Sequence, residues 1–97
     1  MTRIPASLRN KEVQAALAEL KTLILARFPD AIFHVYKGDE PCGIYLEATV
    51  DVEDTDEVID TFIDRLVDMQ VEERLPVYVV PVQPVERVLE LMERRRN

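Results

Sequence analysis

The chain has 97 residues, nineteen Asp and Glu against twelve Lys and Arg, a net charge of −7 and 47% hydrophobic residues. That apolar fraction belongs to a folded domain rather than a disordered acidic tail, and the length suits a single domain spanning residues 1–97. One histidine (His34), one cysteine (Cys42), one serine (Ser7) and two glycines (Gly38, Gly43) argue against a structural zinc site, a disulfide framework, a glycine-rich phosphate cradle and a Ser-His-Asp apparatus.

No apolar run approaches the roughly 20 residues of a membrane span, and the opening MTRIPASLRN lacks a signal-peptide core. With a single cysteine besides, the reading is a cytoplasmic protein that takes no cofactor and no membrane partner. Its size and style are those of a small bacterial accessory protein.

The first helix is expected from Asn10 to Phe28. Val13, Leu17, Leu20, Ile24 and Phe28 recur at spacings of three and four, and Pro29 disfavours helix at the residue before it. Residues 31–37 and 44–51 then read as a hairpin joined by 38–43. Along the second strand Ile44, Leu46, Ala48 and Val50 face one way, and Tyr45, Glu47, Thr49 and Asp51 the other.

The second helix opens at Asp54 or Thr55, with Glu57 completing a capping-box pattern from Asp54. At 100° per residue, Val58, Ile59, Phe62, Ile63, Leu66 and Met69 share an arc of about 140°. A third strand covers Pro76–Val82, its prolines suiting strand ends or a sheet edge. Pro84 suits the first turn of a last helix with an apolar face of Val85, Val88, Leu89 and Met92, closed by Arg94–Arg96 at the negative end of the helix dipole.

A strand-helix-strand crossover makes strands two and three parallel, while the hairpin makes strands one and two antiparallel. The fold class is therefore α+β in two layers, helix-strand-strand-helix-strand-helix, with a three-stranded mixed sheet and helices on at least one face.

Acids concentrate in the middle. Residues 38–73 hold thirteen acids and one base, Arg65. Asp56, Asp60, Asp64 and Asp68 recur every fourth residue, so they are like-charged neighbours on one winding row of the second helix. Such a row is either a solvated face or a contact for a basic protein partner, and it argues against direct binding to nucleic acid. The run from Asp51 to Asp56 fails the EF-hand pattern, because its sixth position is Asp56 rather than glycine; helix capping accounts for its acids.

Hairpin register decides the face of His34. One register buries Ile32, His34 and Tyr36. The preferred one, since Phe33 and Val35 are the less polar set, pairs residue 33 with 46 and 35 with 44, sends Phe33 and Val35 to the core and sets His34 opposite Tyr45. The other sheet face then carries Ile32, His34, Tyr36, Tyr45, Glu47 and Thr49, richer in tyrosine than a solvated face needs and typical of interfaces. The last helix, a second subunit or a small ligand are the three ways to cover it. Cys42, near the hairpin tip, lies about 10 Å from His34 and makes no catalytic dyad with it.

The element order also resembles that of minimal nucleotidyltransferase domains, whose acceptor hairpin carries catalytic carboxylates. That family's Gly-Ser motif would fall at Lys37-Gly38-Asp39, which has no serine, and its Asp-x-Asp pair at Gly43-Ile44-Tyr45, which has no carboxylate. The resemblance implies at most an inactive relative, so no catalytic residue is assigned.

The leading expectation is thus a non-catalytic interaction module, acting as a homodimer through Ile32, His34, Tyr36, Tyr45 and Glu47. A small enzyme or ligand- or metal-binding domain using His34 beside Glu47 or Asp51 is the alternative. An antitoxin-like neutraliser presenting its acidic helix is a third.

Overall fold

A computed structural model describes residues 6–39 and 42–95 of the chain. The elements are α1 (Ala6–Arg27), β1 (Ile32–Asp39), β2 (Cys42–Thr49), α2 (Asp56–Val71), β3 (Val77–Val82) and α3 (Val85–Arg95). The sheet is mixed, in the order β1-β2-β3, with β1 antiparallel and β3 parallel to the central β2. This is the α+β arrangement that the element order implies.

α1 starts earlier than the expected Asn10, because nothing from Ala6 to Arg9 breaks a helix. It stops where Pro29 requires, with the Phe28 N–H still donating to the Ile24 carbonyl at 2.8 Å. Val13, Ala16, Leu17, Leu20 and Ile24 form its buried stripe. Val58, Phe62, Leu66 and Met69 form that of α2, and both lie against Leu46, Ala48, Val50 and Val77 of the strands and their ends. Ile63, expected inside, lies at the margin and is exposed, since it sits at the end of the apolar arc. Arg65 on α2 donates to Glu19 on α1, its second contact there 3.2 Å long, and to Glu73. The Gln70 amide donates to the Val77 carbonyl at 2.8 Å, tying α2 to β3.

The start of α2 corrects the capping-box expectation. Thr55 is the cap residue and uses no side-chain bond. Asp54 supplies the carboxylate instead, accepting from the Asp56 N–H at 2.9 Å. Beyond its other end Arg74 adopts φ 54°, a left-handed turn residue that directs the buried Leu75 inward.

The hairpin is tighter and longer than expected. Its strands continue to Asp39 and Cys42, with Gly38 opposite Gly43, so only residues 40 and 41 lie between them. The register pairs Phe33 with Ala48, Val35 with Leu46 and His34 with Glu47. It is two residues off the expected pairing, which had set His34 opposite Tyr45. An even slip preserves the faces, so Phe33 still turns toward the core.

The helices treat the sheet unequally. α1 and α2 cover one face. α3 buries none of its residues, and its apolar side chains Val85, Leu89 and Met92 are 70%, 55% and 53% exposed. The molecule measures 58 × 27 × 19 Å with a radius of gyration of 15.4 Å, against about 12–13 Å for a compact chain of this length. Among the described residues no helix is long and apolar enough to cross a membrane.

Candidate interaction surface on the open sheet face

Successive strand residues alternate between faces, and the pairing of the three strands fixes what the uncovered face carries. One rung holds Tyr36, Tyr45 and Tyr78. The next holds His34, Glu47 and Val80, and the last Ile32, Thr49 and Val82. All five residues of the expected patch, Ile32, His34, Tyr36, Tyr45 and Glu47, thus share this face. Ile32 is 69% exposed; Tyr36 and His34 are exposed, and Tyr45 and Glu47 half-buried.

Tyr78, Val80 and Val82 complete the surface and were not foreseen. Alternation along β3 was visible in the sequence, but its phase against β2 depends on the path of the α2 crossover.

The tyrosines form a ladder across the sheet. Tyr36 and Tyr45 stack with ring centroids 5.3 Å apart and 15° between planes, and Tyr45 and Tyr78 at 5.0 Å and 29°. His34 extends it, stacked on Tyr36 at 5.8 Å. Offset aromatic pairs at such separations contribute roughly 0.5–1.5 kcal/mol beyond their buried area.

Both glycines serve this ladder. A Cβ on Gly38 would run into the Tyr45 ring. One on Gly43 would stand 2.6 Å from the Pro76 carbonyl oxygen and 2.7 Å from Cε2 of Tyr78. Each tyrosine ring therefore lies over the glycine of the neighbouring strand. Burial among these neighbours, with smaller contributions from Tyr78, Tyr36, Cys42 and Asp39, pushes the Tyr45 hydroxyl above its ordinary 10.0.

The alternative chemistry finds less support. His34 and Glu47 are cross-strand partners, but they sit on an exposed sheet face rather than in a recess. Asp51, the other carboxylate considered beside His34, lies beyond β2 and accepts instead from Arg87 at 2.7 Å. Cys42 is an exposed free thiol. Five rungs separate it from the Glu47–His34 pair, roughly 16 Å. Among the described residues no three His, Cys, Asp or Glu side chains converge as a metal site. A cleft of about 320 Å³ opens at the end of the sheet, lined by Phe28, Ile32, Val50 and Pro84 with Arg27 and Asp51; of the patch residues it contains only Ile32.

On α2, Asp56, Asp60, Asp64 and Asp68 are all exposed, and none of their carboxylates forms an ion pair among the described residues. Asp56 lies in the first turn, where the helix dipole favours it.

The chain matches no protein-family model, no curated protein and no solved structure. Its functional reading therefore rests on its own residues.

Proposed function

We propose that the chain is a non-catalytic protein-interaction module whose docking surface is the open sheet face. The tyrosine ladder is the observation that carries this reading. Three stacked tyrosines, an exposed isoleucine and two half-buried valines form one continuous face with a single carboxylate among its described strand residues, Glu47, near its centre. Rigid aromatics with little charge are the composition of interface centres, and tyrosine loses little side-chain entropy when a partner covers it. A catalytic reading through His34 and Glu47 would place them on an open sheet face, outside the cleft at the end of the sheet. Among protein partners a second copy is favoured, because the chain carries an unmatched apolar stripe of its own on α3.

The test is comparative. Tagged wild-type chain and a Val80→Lys variant are purified side by side from the cells that make the protein. Proteins bound at the open face, an untagged copy included, are expected with the wild type and lost from Val80→Lys. Identical co-purification with both would overturn the reading.

A basic partner on α2 is a second reading, favoured by the four carboxylates that form no ion pair among the described residues. It predicts binding that weakens steeply with salt, since exposed charges are screened within about 10 Å at 0.1 M.

A further inference from the structure

α3 is held to the rest of the chain by its polar side. The Gln83 side-chain amide, just before the helix, donates to the Val52 and Glu53 carbonyls, both at 3.0 Å. Arg87 donates to Asp51 at 2.7 Å and Arg94 to Glu53 at 2.9 Å; Arg94 also bonds Glu90 at 2.7 Å. At 100° per residue, Val85, Val88, Leu89 and Met92 span an arc of about 100°, whose centre lies roughly 150–170° from Arg87 and Arg94. The same contacts that fix the helix therefore turn its apolar stripe away from its own chain. An isolated helix of 11 residues is marginal in water, where most helical stability comes from packing an apolar face.

Two unmatched apolar surfaces thus occur on one chain, the open sheet face and the α3 stripe, and they match in size and charge. An 11-residue helix is about 16 Å long and 10 Å across. Three strands of six to eight residues offer about 20–26 Å by 10 Å. Among the described strand residues Glu47 is the one carboxylate on the open face, and it has no ion pair among the described residues. Arg95, which borders the α3 stripe on the Val88 side, has none either.

We propose that the occupant of the open face is α3 of a second copy, exchanged reciprocally about a two-fold axis. The stripe of each helix lies on the tyrosine ladder and Val80 of the other chain, and each Arg95 pairs with the opposite Glu47. Two-fold symmetry suits such a pair of surfaces, because one rotation satisfies both at once. This inference rests on the open face being a docking surface and adds what docks there.

Complementation distinguishes the possibilities. Light scattering is run on the wild type, on a face variant, Val80→Lys, and on a helix variant, Leu89→Lys with Met92→Lys. Circular dichroism confirms that each folds, as expected for side chains outside the core. The wild type is expected at twice the chain mass of 11.2 kDa, and each variant to lose at least tenfold in affinity. An equimolar mixture of the two variants regains association that neither shows alone, because a sound face in one chain meets a sound helix in the other.

A wild type that stays monomeric at about 100 µM, a regime of only weak binding, overturns the exchange and leaves the docking face to its own co-purification test. A dimer broken by Val80→Lys but not by the helix variant upholds the face and removes α3 as its occupant. A dimer indifferent to both variants overturns the exchange and places self-association elsewhere.

Discussion

α2 and α3 begin alike in the sequence and end differently. Both are amphipathic, and both follow a β-strand in the chain. The stripe of α2 disappears under α1 and the sheet, with Val58 and Met69 fully buried, whereas that of α3 stays in the open. The difference lies in the polar sides. α2 keeps most of its carboxylates facing solvent, so its apolar side is free to turn inward; α3 uses Arg87 and Arg94 to grip Asp51 and Glu53, and its apolar side turns outward. A strong apolar stripe says that something will cover a helix face, and the charges on the other side decide whether that something belongs to the same chain.

Paired substitutions make this contrast measurable. Phe62→Ala, in the α2 stripe, should destabilise the fold by about 3–5 kcal/mol in urea unfolding, through lost transfer energy and an unfilled cavity. Leu89→Ala, at the matching place on α3, should change unfolding of the dilute chain by less than about 0.5 kcal/mol. Equal losses would mean that α3 is part of the folding core after all.

The two glycines beneath the tyrosine ladder offer a second comparison. Gly43→Ala puts a methyl group against the Pro76 carbonyl, backbone that gives way only by spreading β2 from β3, and should cost roughly 1–3 kcal/mol. The nearest atoms to a Gly38→Ala methyl all belong to the Tyr45 ring, which can rotate. This substitution should cost less while altering the near-ultraviolet dichroism of the ladder.

Much of this was legible beforehand, and the gaps have physical causes. Alternation along Ile44–Val50 and periodicity in Val58–Met69 specified the two layers, because burying one face of each element leaves few other solutions. Placing His34, Tyr36, Tyr45 and Glu47 together needed only the parity of the hairpin, which Phe33 and Val35 signalled by being the less polar pair. The rung itself was not legible. Gly38 and Gly43 look like loop residues, yet both stay in the ladder because the rings of Tyr45 and Tyr78 need the space above them. The direction of α3 was hidden too, since the pairing of Arg87 with Asp51 spans 36 positions and leaves no local pattern.

Titration sharpens the comparison further, with smaller effects. Hydrogen bonds from Arg87 and Arg94 hold Asp51 and Glu53 below their ordinary 3.8 and 4.5. A depressed carboxylate contributes its full stabilisation above those ordinary values and loses it as pH falls from them through the lowered ones. Amides of residues 85–95 should therefore lose protection from hydrogen exchange as pH falls below the ordinary carboxylate range, before those of α2. Simultaneous loss would show that the tethers do not set the position of α3.

At the other end of the scale the sign reverses. Tyr45, raised above 10.0, favours the folded state while protonated, so that contribution fades as pH climbs past 10. Tyr45→Phe should flatten that alkaline decline. The smallest effect belongs to the proposed cross-chain pair: Glu47→Lys should weaken association a few-fold, and adding Arg95→Glu should restore it, as expected of a partly exposed pair contributing about 0.2–1 kcal/mol.

The most direct examination of the exchanged dimer is nuclear magnetic relaxation by a soluble paramagnetic probe, read at the rings of Tyr36 and Tyr78 and the methyl groups of Val88 and Met92 as protein concentration rises. Both sets should be struck by the probe in dilute solution and become shielded together, over one concentration range, as the second copy arrives. Rings and methyl groups that stay equally accessible at every concentration, or that become shielded over separate ranges, would contradict the account.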